Sequence, residues 1–136
     1  MPTRTIVITE EELATIVKRA YLAGVFDGEG CTEKDLRLSV QTKGTGILEQ
    51  FTVIFPAVIQ YSKGQKKEYR RIRYPKGRTA TDSPALKVAE FIAPFLTIKK
   101  GEVEALIRAI KAEHVDKKEY EQAMRELLSH KKTHYK

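Results

Sequence analysis

Two groups of residues in this 136-residue chain carry chemistry. The first is a pair of carboxylates, Asp27 and Glu29, set between glycines in LAGVFDGEG (22–30). That stretch begins as apolar helix, and the C-terminal end of a helix already carries roughly half a negative charge. Acids there are mildly destabilising and call for a compensating positive charge. The second group is the run KGQKKEYRRIRYPKGR (63–78), with eight Lys or Arg against one acid, Glu68, and with Tyr69 and Tyr74 inside it. Basic side chains interleaved with aromatics suit a polyanionic partner.

These groups need elements to position them. Thr9 and Glu12 form a capping box, which predicts a helix from about residue 10. Leu13, Ile16, Val17, Ala20 and Gly24 fall on one face at helical spacing, and Leu22, Val25 and Phe26 on a second. A helix apolar on two sides is either central in a large core or shared with a partner, and a domain this short has little room for the first. The series Ala20, Gly24, Gly28 leaves a smooth strip for close approach of another backbone. Gly28 and Gly30 end the helix.

Residues 35–43 then alternate, with Leu36, Leu38, Val40 and Thr42 on one side and Arg37, Ser39, Gln41 and Lys43 on the other. That is a half-buried strand with a polar, partly basic surface. A short helix around Ile47–Phe55 stops before Pro56, and strands are expected over 57–63 and 67–74, joined by a Lys-rich turn. In the second of these, Ile72 and Tyr74 share one face, and Tyr69, Arg71 and Arg73 the other. Ser83-Pro84 starts a helix, another spans about 101–112, and Asp116 with Glu119 caps a last one over about 116–129. Residues 130–136 read as a frayed basic tail. The order predicts a single α+β domain with a core over about 10–112. Its antiparallel sheet is covered on one face, and the uncovered face forms a basic saddle.

Composition agrees. Hydrophobic residues make up 41% and charged residues 32%, an ordinary globular balance, and the net charge is +7. No apolar run is long enough to span a membrane, so no membrane partner is expected. The start, MPTRTIVITEEE, lacks the pattern of a secretory signal. The single Cys31 cannot form an internal disulfide, and no Cys/His spacing suits structural zinc. The expected setting is intracellular and reducing, not secreted. His114, His130 and His134 show no ligand spacing and read as solvated.

LAGVFDGEG closely resembles the signature of the LAGLIDADG homing endonucleases: five of nine letters are identical, Leu22, Ala23, Gly24, Asp27 and Gly30. The element order also resembles that family's αββαββα core with its saddle-shaped sheet, here followed by extra C-terminal helices. The resemblance implies a homodimer, since one chain holds one motif. In the family the motif helices of two subunits pack at a twofold axis, which would set Ala20, Gly24, Asp27 and Gly28 at the interface. It implies that Glu29 ligates a divalent metal, Mg²⁺, with help from the Gly28 carbonyl, while Asp27 holds the turn. Hard cations do prefer such oxygen ligands, and there they activate water for phosphodiester displacement. APFLTIKKG resembles the family's stretch after the third helix, which makes Lys99 a candidate catalytic lysine and Lys100 the runner-up. Gln41, or Thr42 beside it, matches the family's polar active-site residue.

The implied function is a sequence-specific double-strand DNA endonuclease cutting a near-palindromic site. The implied DNA surface carries Arg37, Ser39, Gln41 and Lys43 on one strand, and Tyr69, Arg71 and Arg73 on another. Lys63, Lys66 and Lys67 extend it at the turn. Two departures stand out: the hairpin after the motif is cut down to CTEKD, and Gly44 to Gly46 supply no basic group where the family has one. A non-cleaving protein on the same fold, a DNA-binding regulator or an RNA-binding intron maturase, is the alternative.

Overall fold

The computed structural model describes residues 7–44, 46–63 and 68–134, apart from the side chains of 62, 63, 68 and 132–134. Helix α1 (Glu10–Glu29) starts where the capping box places it, with the Glu12 N–H donating to Thr9 Oγ1 at 3.1 Å. It turns Leu22, Ala23 and Phe26 into the core. A short hairpin follows, β1 (Gly30–Thr32) and β2 (Leu38–Thr42), then α2 (Gly46–Ile54). Strands β3 (Gln60–Lys63) and β4 (Glu68–Tyr74) complete a four-stranded sheet of order β1-β2-β4-β3, antiparallel throughout. Helix α3 (Pro84–Ile92) begins under the Ser83 hydroxyl, which accepts from the Leu86 N–H. A 3-10 turn (Ala93–Phe95) leads to α4 (Lys100–Ala112), and α5 (Lys117–His134) packs along α4. This is the mixed α+β arrangement that the element order implied.

The core lies between the helices and one face of the sheet. Leu38, Val40, Ile72 and Tyr74 are buried there against Leu22, Phe26, Leu48, Phe51, Ile92 and Leu106. Alternation in β2 and β4 therefore reads correctly. The hairpin turn is closed by Leu36, which is buried despite a left-handed φ of 63°. A leucine in that conformation costs about 1–2 kcal/mol, offset here by burial of its side chain in the core. It pins the shortened turn to the body of the domain.

Four expectations change. The strand expected over 57–63 is ordered as strand only from Gln60, because Ala57 and Ile59 pack beside the core before the chain reaches the sheet edge. Gly28 lies inside α1 and does not end it. Gly30 alone is the cap, and its φ of −88° is open to any residue. Glycine is needed there because a Cβ would sit 2.1 Å from the Phe26 ring. The basic tail expected at 130–136 is helical through His134, because α5 has β1 and α4 to pack against. Lys131 reaches the Thr32 carbonyl, and His130 packs on Gly101, so His130 is not simply solvated.

Candidate active site

The C-terminus of α1 and the N-terminus of α4 meet, and each caps the other. The Asp27 carboxylate accepts three backbone N–H groups: Thr97 at 2.8 Å on Oδ2, and Ile98 at 3.1 Å and Lys99 at 2.9 Å on Oδ1. These donors lie in the bend 97–99 that leads into α4, so the carboxylate sits just before the N-terminus of that helix, where the dipole favours an anion. In return the Lys99 ammonium donates to the carbonyls of Phe26 and Gly30, and it lies 5.7 Å from the centre of the Phe26 ring. Those carbonyls are at the negative end of α1. The acid that looked misplaced at a helix C-terminus is thus placed at a helix N-terminus by the tertiary fold. Lys99, at 7% exposure, is the positive charge that α1 required.

Glu29 is treated differently. It is exposed, and no hydrogen bond or ion pair holds it among the described residues. Glu29, the last residue of α1, directly precedes the first paired residue of β1, Gly30, which pairs with Val40. Next to Val40, Gln41 faces Arg71, which faces Gln60. One row across the open sheet face therefore runs from amide to guanidinium to amide. Gln41 is exposed, and the Arg71 Nε is buried with no hydrogen-bond partner. Thr42, the other candidate, points to the core side and donates to the Gly44 carbonyl at 2.5 Å, which removes it from the open face. The arginine nearest to Gly44 is Arg70, which pairs with Thr42 and donates to the Lys43 carbonyl at 2.9 Å.

The next row holds Cys31, Ser39 and Arg73, and Ser39 is buried beneath its neighbours. Beyond it lies the hairpin turn, where Arg37 meets Asp35 at 2.5 Å and Glu33 at 3.3 Å. Arg73 reaches the same Glu33 at 3.6 Å. The hydrogen bond to Asp35, with the charge of Glu33, raises the Arg37 pKa above its ordinary value against some desolvation. Sequence reading counted Arg37 and Arg73 as open cations and passed over the two acids in CTEKD. The i, i+4 spacing of Glu33 and Arg37 was the available signal. At the other end Lys43 is exposed on the open face, with Tyr69 nearby in register with Ser62. Lys66 and Lys67 lie outside the described residues, as does the Lys63 side chain.

Helix α1 is covered on one side only. Leu13 is 54% and Val17 59% exposed, and Ile16, Ala20, Tyr21, Gly24 and Gly28 are exposed with them. A Cβ added at Gly24 or Gly28 would meet nothing within 4 Å. The chain by itself therefore has no steric need for glycine at either position.

Glu29 and the Gly28 carbonyl are oxygen donors that suit a hard cation. No group of three His, Cys, Asp or Glu among the described residues could hold a metal by itself.

The fold matches solved structures. Over 91% of this chain and 86% of the other, it superposes on the homing endonuclease I-CvuI in complex with its target (Sro1.3) in the presence of 2 mM Ca, with TM-score 0.61 and 17% identity. A second I-CvuI complex, with the I-CreI target (C1221) in 2 mM Mg and its DNA not cleaved, matches with TM-score 0.56 and 17% identity. That match covers 89% of this chain and 96% of the other. The chain has the LAGLIDADG homing endonuclease fold. No protein-family profile and no curated protein sequence matches it. Among the described residues no helix is long and apolar enough to cross a membrane.

Proposed function

We propose that this chain is a sequence-specific double-strand DNA endonuclease, acting as a homodimer on a near-palindromic site by Mg²⁺-dependent phosphodiester hydrolysis. One observation carries the reading. Helix α1 keeps an apolar stripe uncovered, with Gly24 and Gly28 exposed along it, and ends in an exposed Glu29 where the chain enters the sheet that carries Gln41 and Arg71. A second copy seated on that stripe would cover it, and twofold symmetry would bring two Glu29 carboxylates together and join two open sheet faces into one surface. The two I-CvuI complexes, which hold target DNA in Ca or Mg, support the same reading.

Two carboxylates, two helix C-termini and a DNA backbone are all negative, so the assembled site needs cations. Glu29 and the Gly28 carbonyl from each copy would hold them, with water and phosphate oxygens completing the shell. A divalent cation there supplies an activated water and charge stabilisation for an in-line displacement. The protein's own groups do the positioning. Gln41 can orient a water or a phosphate oxygen through its amide, and Arg71 can donate to the phosphate next to it. Lys99 was a candidate to reach the reacting phosphate, but its ammonium sits on the carbonyls of Phe26 and Gly30. Its proposed part is to hold the Glu29 turn, together with Asp27. Arg37, Ser39, Lys43, Tyr69 and Arg73, with Lys63, Lys66 and Lys67, are the proposed DNA contacts around this centre.

The test is Glu29→Gln on a site selected from a random duplex pool. Binding in Ca²⁺ should persist, and binding without metal should tighten, while cleavage in Mg²⁺ is lost. Cleavage at the wild-type rate by Glu29→Gln would refute the metal assignment. Wild type that binds duplex yet never cuts would replace the enzyme with a non-cleaving regulator. Preference for structured RNA would point to a maturase.

A further inference from the structure

The open sheet face is electrostatically divided. At the hairpin end, two acids face two arginines: Glu33 and Asp35 flank Arg37, and Glu33 also reaches Arg73. Those four side chains cancel, which leaves only the exposed Lys34 of the turn as a net positive charge at that end. At the Gln41 end, Arg71 and Lys43 have no acidic partner among the described residues. A surface that needed only to attract phosphates would gain nothing from Glu33, which repels the same backbone. The acid is also firmly held. Its N–H donates to the Arg37 carbonyl at 2.8 Å, its carbonyl accepts from the Leu36 N–H at 2.9 Å, and buried Leu36 anchors the turn.

We propose that Glu33 is a specificity-positioning residue, which takes Arg37 and Arg73 out of phosphate binding and aims them at base edges under the hairpin. The geometry gives the reason. Both acids approach Arg37 at Nε, a buried atom whose geometry satisfies no hydrogen bond, and neither Nη group is engaged among the described residues, so the two Nη groups remain as the fork that reads guanine O6 and N7 bidentately. A free arginine would instead follow the nearest phosphate, a contact that strengthens binding to every sequence alike. Glu33 therefore weakens binding in general and sharpens it at the outer base pairs of each half-site. This rests on the DNA-binding reading above.

Glu33→Gln keeps shape and removes charge. Affinity for a scrambled duplex should rise several-fold. The slope of log K against log salt should steepen by about 2 for the dimer, one released arginine per copy. Discrimination at the base pairs under the hairpin should fall by about tenfold, while the central base pairs keep their preference. A loss of fold would lower all binding and flatten the slope, so the thermal midpoint is measured alongside. Glu49→Gln, an exposed acid in α2, controls for net charge and should leave discrimination unchanged. An unchanged slope and profile in Glu33→Gln would overturn this proposal and leave the endonuclease reading standing. Failure of wild type to bind any duplex would overturn both.

Discussion

Replacing Asp27 with Asn should destabilise the protein by about 2 kcal/mol, although only one atom changes its hydrogen-bonding character. Oδ1 serves two N–H groups and Oδ2 serves one. An amide can present its single oxygen to Ile98 and Lys99, and then its NH₂ faces the Thr97 N–H, donor against donor. The loss is one charge-assisted bond, about 1.5 kcal/mol at such a partly exposed site. To it is added about 0.5 kcal/mol for removing the anion from the start of α4. Asp27→Ala loses all three bonds and should cost about 3–4 kcal/mol, with water recovering part of the rest. For a chain of this length that is a drop of about 6 °C for Asn and about 10 °C for Ala. Urea titration at equal protein concentration, with the slope unchanged between variants, gives the energies. A double-mutant cycle with Lys99→Met then asks whether the two caps support each other, with a coupling of at least about 0.5 kcal/mol expected. If the Asn variant matches wild type, or Ala is no worse than Asn, the mutual capping of α1 and α4 does not hold the site.

Gly24→Leu should fold normally, since its Cβ meets nothing within 4 Å among the described residues, yet sediment as a monomer where wild type should sediment as a dimer; dimeric, active Gly24→Leu would place the interface elsewhere. Gly30→Ala should lower stability by about 2 kcal/mol or more, because its Cβ overlaps the buried Phe26 ring, and calorimetry would show it. Lys131→Met should cost about 3 kcal/mol in urea titration: it removes the cation 4.0 Å from Glu102, a fully buried acid whose other partner among the described residues is Thr32. Glu126 is held below the usual carboxylate range chiefly by the Gln122 amide and also by Arg108. Its contribution is therefore complete above its ordinary pKa of 4.5 and lost as pH falls through the lowered value, so Glu126→Gln should flatten that part of the acid-stability profile.

Local pattern settled much of this protein. The Thr9 and Ser83 caps and the period-two alternation of β2 and β4 depend on neighbours within a few residues, and all are found as read apart from Ser39, which is buried on the polar side. The sequence also marked Glu29, and it showed that α1 has more apolar surface than one small core can cover. What it could not decide were partnerships between residues far apart in the chain. Asp27 and Glu29 are two residues apart and equally acidic. Only the arrival of the 97–99 segment separates them, giving one to a helix N-terminus and leaving the other exposed. The fate of each cation was likewise a tertiary matter. Lys99 is buried on the carbonyls of α1, Arg37 and Arg73 are taken by the acids of a shortened turn, and Arg71 stands across from Gln41 because β4, a distant segment, pairs with β2. A charge's neighbours are set by which strands and helix ends meet, and no periodicity in a single chain encodes that.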